Sequence, residues 1–302
     1  MSECEQGLIR GEQADRFSVS SEIHRDDHIF DFILNHPYYP TYLRAVEYYF
    51  EDGNRSAKKF VRLLRENLDL DRNLDVLEFA SGYGCVSRHL VKERDINLWS
   101  CDIHSPAVDF LRDSIGVCAL QSASLPEMLV LPASFDAVFA LSFFSHMPIT
   151  TWCRWLVRLA QAVRPGGLLI FTTHGRLSAA NAGNPSISDL GFWFHSSSEQ
   201  KDLPTEQYGT TITTDSFVRK NLLTVPSVEL VDWKEGFWWE HQDVYIVRKH
   251  SNSDATQLEV ITHRLQAIEL STSWRILGPA RNWAHSHPRV ARICRRGVKL
   301  LQ

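Results

Sequence analysis

Asp75-Val-Leu-Glu-Phe-Ala-Ser-Gly-Tyr-Gly84 packs two signals into ten residues. Its first half is apolar enough for a buried strand and ends on an acid, Glu78. Its second half is a turn of small residues that opens toward a helix. Gly82 and Gly84 would let the backbone approach a ligand with no side chain in the way.

The pattern continues outward from this unit as alternating strands and helices, which is how a parallel sheet with helices on both faces is written. Strands are expected over 75–79, 97–101, 117–120, 135–141 and 168–173, with helices over 85–93, 106–114 and 150–163. Pro165, Gly166 and Gly167 should stop the last of these and turn the chain into its strand. Residues 174–209 read as a long functional loop. Thr214 or Asp215 can cap a helix reaching Leu222, and strands at 228–233 and 242–248 complete the sheet.

Upstream, apolar residues at three and four spacing between His28 and Asn67 predict helices capping the core and the substrate cleft. Residues 1–27 read as polar and mobile. The expected organisation is thus a mobile N-terminus (1–27), a helical cap (28–73), a core domain (74–249), and a linker with a basic helical tail (250–302).

Composition is that of an ordinary globular protein, with 44% hydrophobic and 23% charged residues. No secretory leader is recognisable, and the most apolar stretch, 128–144, is broken by Pro132 and Asp136, so a cytoplasmic protein without a membrane span is expected. Cys4, Cys85, Cys101, Cys118, Cys153 and Cys294 show no metal or disulfide spacing and read as reduced thiols. The net charge of −4 is uneven: seven Lys/Arg and no Asp/Glu fall within 270–302, leaving 25 basic against 36 acidic residues elsewhere. An acidic body argues against nucleic acid as a partner.

Gly82, Gly84 and Ser87 partly imitate the GxGxxG of dinucleotide-binding folds, but a carboxylate just before the turn would repel a diphosphate. The unit instead resembles the first motif of class I methyltransferases dependent on S-adenosylmethionine (SAM), with Ala80 in place of the usual first glycine. The resemblance runs in order through Phe135-Asp-Ala-Val-Phe-Ala-Leu-Ser-Phe-Phe-Ser-His-Met-Pro148, similar to an FSHLP-type subgroup, and on to Gly175. It implies a Rossmann-like α/β fold: about seven strands, mostly parallel, the last one antiparallel.

The resemblance further implies that SAM is the cofactor and S-adenosylhomocysteine the product. Glu78 would meet the ammonium group of the methionine portion, directly or through water, beside the turn Ala80, Ser81, Gly82, Tyr83 and Gly84. Asp102 would accept hydrogen bonds from both ribose hydroxyls, with Ile103 against the adenine and Ala123 nearby; the alternative is that Asp102 only caps the helix before Pro106, a task open to Ser105. Leu141 and Ser142, ending the fourth strand, also fall to the cofactor.

His146 and His174 stand at carboxyl ends of strands, where open α/β sheets bind ligands, and either can serve as a base toward a substrate hydroxyl or simply brace the backbone. Among the aromatics, Trp193, Tyr208 and Trp238, with His241, could form an acceptor platform, or pack over the sheet. No acid cluster suggests a metal. Leu270-Ser-Thr-Ser-Trp-Arg-Ile-Leu-Gly-Pro-Ala-Arg281 resembles a tail motif of enzymes of bacterial surface-polysaccharide assembly. It implies a sugar or glycan acceptor, with a small metabolite or lipid, or a non-catalytic scaffold, as alternatives. The basic tail could rest on an anionic membrane at its inner face or stay solvated.

Overall fold

The computed structural model describes residues 1–69, 71–197, 200 and 202–250. The expected tail therefore lies outside the described residues. The five cysteines within them are free thiols.

Seven strands form one sheet: β1 (Leu74–Phe79), β2 (Ile96–Asp102), β3 (Cys118–Gln121), β4 (Phe135–Ala140), β5 (Val163–His174), β8 (Val228–Trp238) and β9 (Gln242–Lys249). Their order is β3-β2-β1-β4-β5-β9-β8. All neighbours among the first five are parallel, while β9 runs antiparallel to both β5 and β8. The expected Rossmann-like architecture is what forms. β1 and β4 are central and almost wholly buried, as their mostly apolar sequences, interrupted only by Asp75, Glu78 and Asp136, lead one to expect.

Two cores cover the two faces of the sheet. On one, α6 (Ile149–Ala162) and α8 (Asp215–Leu222) lay Trp152, Trp155, Leu159, Phe217 and Val218 against the strands. On the other, the second half of α3 (Tyr42–Asn67) contributes Phe60, Val61, Leu63 and Leu64. Phe60 stacks on Phe139 at 4.3 Å between ring centres. The first half of α3 extends past the sheet, where α1 (Glu3–Asp15) and α2 (His28–Leu34) pack on Ala45, Val46, Tyr49 and Phe50. The remaining helices are short: α4 (Ser87–Leu90), α5 (Ser105–Phe110) and α7 (Arg176–Asn181).

Several local expectations are corrected. The stretch read as mobile contains α1, held by a reciprocal Ser2–Glu5 capping box and by burial of Ala14 against the cap. The helix at 106–114 is α-helical only to Phe110 and continues as a π-type turn over Leu111–Ile115. β5 starts at Val163, before Pro165, because Val163 pairs with Phe135 across a bulge. The loop read over 174–209 holds α7 and a strand, β6 (Phe192–His195), which pairs antiparallel with β7 (Thr210–Thr213) as a separate two-stranded sheet. Among the described residues no helix is long and apolar enough to cross a membrane.

Candidate functional site

A cleft opens at the carboxyl ends of β1, β2 and β4, between the sheet, the helical cap and the segment preceding β7. Twelve of the expected residues line it: Glu78, Ala80, Ser81, Gly82, Tyr83, Asp102, Ile103, Ala123, Leu141, Ser142, His146 and Tyr208. The turn after β1 is built for close approach. Ala80 (φ +57°) and Gly82 (φ +55°) both adopt left-handed backbone. A Cβ placed on Gly82 would meet no protein atom within 4 Å, so the space before it is open. Gly84 (φ +78°) sits behind the wall, where a Cβ would come 3.0 Å from Leu111 Cδ2. Its role is close packing of the turn against the π-type turn at Leu111–Ile115.

Glu78 is buried at the tip of β1. Its Oε2 accepts hydrogen bonds from Ser87 Oγ at 2.5 Å and Ser100 Oγ at 3.4 Å. No cation pairs with it among the described residues, and burial pushes its carboxyl up to about 7, against the pull of the two serines. Such a group ionises readily once a positive charge arrives.

Asp102 ends β2 and is already engaged. Oδ2 accepts from the backbone of Gly82 at 2.8 Å, and Oδ1 meets the backbone N–H of His104 at 3.0 Å and its Nδ1 at 2.9 Å. Of the roughly four lone-pair directions of a carboxylate, three are used. One remains, where two ribose hydroxyls would need two. His104, not Ser105, is the residue that caps α5, and it does so without a side-chain bond to the helix. The capping alternative for Asp102 is thus realised only in its bond to the His104 backbone.

The two expected histidines differ. His146 lines the cleft, with Tyr208 stacked on it at 4.5 Å and 8° between planes. Its Nδ1 lies 2.8 Å from the carbonyl of Gly209. A carbonyl only accepts, so Nδ1 carries a proton. His174 stands behind it, 6.1 Å away between ring centres, outside the cleft lining and against the Gln242 amide at 3.2 Å. Burial, and next His146 and His241, drive its pKa down to about 3.

Three of the four expected acceptor residues do not reach the cleft lining. Trp238 is 1% exposed, stands in the α3 core against Phe139, and donates Nε1–H to Ser56 Oγ at 3.0 Å. Its neighbour Trp239 faces the cleft instead, with Nε1–H donated to Asp52 Oδ1 at 2.8 Å. Trp193, on β6, stacks on His195 away from the cleft. His241 is held by Ser178, whose Oγ meets its Nδ1 at 3.0 Å. Sequence reasoning missed Asp27, His28 and Asp52 from the cap, His104 after β2, and Gln200 and Gln207 before β7. The helical periodicity from His28 onward did point to a cap over the cleft; which side chains it turns inward depends on packing that no local pattern records.

The strand order is that of a Rossmann-like open sheet. Residues 77–169, from β1 into β5, match a family model described as a methyltransferase domain. Similar solved structures include an S-adenosylmethionine-dependent methyltransferase from Clostridium acetobutylicum (14% identity, 65% of this chain and 91% of that one, TM-score 0.46). Another is the N-methyltransferase NodS from Bradyrhizobium japonicum in complex with S-adenosylhomocysteine (13% identity, 74% and 99% covered, TM-score 0.46). A third is the 1,6-didemethyltoxoflavin-N1-methyltransferase of Burkholderia thailandensis (16% identity, 76% and 93% covered, TM-score 0.47). No curated protein sequence matches the chain.

Proposed function

We propose that this protein is a SAM-dependent methyltransferase whose cofactor lies in the cleft over β1, β2 and β4. The observation that carries this reading is the pairing of a buried, uncompensated carboxylate, Glu78, with the left-handed small-residue turn Ala80–Gly82 in one cleft wall. A positively charged amino-acid moiety satisfies the first and close approach of a nucleoside uses the second. These residues fit SAM: Glu78 would take its ammonium group, Asp102 one ribose hydroxyl, and Ile103 and Ala123 the adenine. When bound, the cofactor supplies a methyl group on a good leaving group.

The chain's own task is then to align the nucleophile, exclude water and hold a proton. His146 is the base in this reading: Gly209 fixes its Nδ1 proton, and Nε2 receives the proton of the acceptor hydroxyl. Tyr208 holds the imidazole plane by stacking. Residues 74–249 are the catalytic domain and 28–73 its cap. The acceptor we favour is a sugar hydroxyl of a glycan or its precursor, supported by the resemblance of 270–281 to tails of polysaccharide-assembly enzymes; the basic tail would bring the enzyme to an anionic membrane surface.

Calorimetry on the full chain tests the cofactor. SAM and S-adenosylhomocysteine should bind with 1:1 stoichiometry, and the double change Glu78→Ala with Asp102→Ala should abolish both. Absence of binding to the parent chain removes the proposal. Labelled SAM offered with glycan, lipid and small-metabolite fractions of a bacterial extract then tests the acceptor: label in the glycan fraction is expected, and label confined to the others overturns that choice.

A further inference from the structure

At the other rim of the cleft, three chain segments meet through His28 at the start of α2, His104 after β2, and Asp202 before β7. Asp202 Oδ2 lies 3.2 Å from His28 Nε2 and 2.9 Å from His104 Nε2. One ligating atom from each residue falls within 4.8 Å of the other two. Pairwise separations of about 3 Å are what two ligands spanning one edge of a four-coordinate zinc polyhedron show, given metal–ligand bonds of about 2.0–2.1 Å.

Two further features mark this as a built arrangement. His104 is oriented from behind, its Nδ1 on the Asp102 carboxylate at 2.9 Å, so Nε2 points into the group. A carboxylate holding the far nitrogen of a histidine is the usual support of a metal-ligating imidazole, because it fixes the tautomer and raises the basicity of the ligating nitrogen. On the same side, the Gln200 amide lies 3.1 Å from His104 Nε2. Amide oxygen and nitrogen are assigned rather than seen, so this side chain can offer its oxygen.

We propose that His28, His104 and Asp202 form a binding site for a single divalent first-row transition ion, Zn²⁺ foremost. Two imidazoles and a carboxylate suit zinc over the hard ions calcium and magnesium, which take all-oxygen cages. The Gln200 oxygen or water completes the coordination. The ion ties the cap, the sheet and the segment before β7 into one clasp beside the cleft, joining residues 174 apart in the chain. The proposal departs from the expectation, drawn from spacing alone, that the chain holds no metal site. The proposal stands apart from methyl transfer, since metal binding is measured without SAM.

The test is a Zn²⁺ titration by calorimetry on the untagged full chain after chelator treatment, with Co²⁺ absorption as a second readout. The side chains of His28 and Asp202 are 31% and 42% exposed, so His28→Ala and Asp202→Ala should fold, as circular dichroism will report. The parent should bind one equivalent that each variant loses or binds at least about 10-fold more weakly, and Co²⁺ should give ligand-field bands in the parent alone. If the parent binds no Zn²⁺, or both variants match it in stoichiometry and affinity, the cluster is only a hydrogen-bonded ion pair and the proposal fails.

Discussion

Histidines gather at two ends of one cleft, and their neighbours give them different chemistry. At the β4–β5 end, His146, His174 and His241 follow one another at 6.1 and 5.6 Å between ring centres. Contacts here include the Gly209 carbonyl for His146, the Gln242 amide for His174 and the Ser178 hydroxyl for His241. Burial, helped by His146 and His241, outweighs the opposing hydrogen bond with the Thr211 backbone, and His174 is neutral at any ordinary pH. At the β2 end, His104 stands between Asp102 and Asp202, and the hydrogen bond to Asp102 raises its pKa despite burial. Residue type alone therefore does not set the role: burial holds His174 neutral, while Asp102 draws His104 toward its charged form. One end is suited to accept a proton, the other to hold a cation.

The largest expected effect lies at the β4–β5 end. His146→Ala should lower kcat for methyl transfer by about 10²–10⁴-fold, the usual worth of a positioned base. His174→Ala should cost less than about 10-fold and leave the pH profile of kcat unchanged, because a group with a pKa of about 3 does not titrate in the working range. Steady-state kinetics of both variants between pH 6 and 9 would check this. Equal losses in the two would mean that the pair acts as a unit and that the contrast drawn between them is wrong.

Glu78 carries the same lesson in an acid, being buried with no cation beside it. Its carboxyl rises from an ordinary 4.5 to about 7 in the fold. The unfolded chain thus releases this proton at lower pH than the native chain. The stabilising contribution is full below about 4.5 and is lost as pH rises through 7. At pH 8 the ionised, buried group then costs roughly 3 kcal/mol. Glu78→Gln should remove that cost, making the variant more stable than the parent at pH 8 and closer to it at pH 5 in urea unfolding, while SAM binding is lost. A variant less stable at pH 8 would show that a counter-charge already serves Glu78.

How far the sequence could foresee these two ends follows from how local each feature is. The strand–turn–helix unit at Asp75–Gly84 and the other sheet strands were legible because alternation, apolar runs and glycines act within ten residues. The β6–β7 pair was not, since the four-residue strands are too short to carry a period and hold together only through partners across an intervening loop. Trp238 and Trp239 were indistinguishable by composition. Which of them enters the core depends on the left-handed turn at Trp239 and Glu240 and on Ser56 waiting on α3. His28, His104 and Asp202 likewise meet only through the tertiary fold, so no spacing rule could join them.

The smallest expected effect probes His241, which composition placed in the acceptor platform and the fold places behind His174. Ser178 is 6% exposed, and its Oγ donates to the His241 carbonyl at 2.7 Å while meeting Nδ1 at 3.0 Å. Its hydroxyl therefore fixes both the backbone and the ring of His241 on the far side of His174. Ser178→Ala removes both of these part-buried hydrogen bonds and should cost about 1–2 kcal/mol, with a fall of about 2–4 °C in Tm per kcal/mol for a domain of this size. With His241 outside the cleft, kcat and the KM for the acceptor should stay within about 2-fold of the parent, inside what a 1 kcal/mol change permits. A 10-fold rise in acceptor KM without a change in Tm would instead put His241 in contact with the acceptor, and the cleft would have to be extended past His146 to include it.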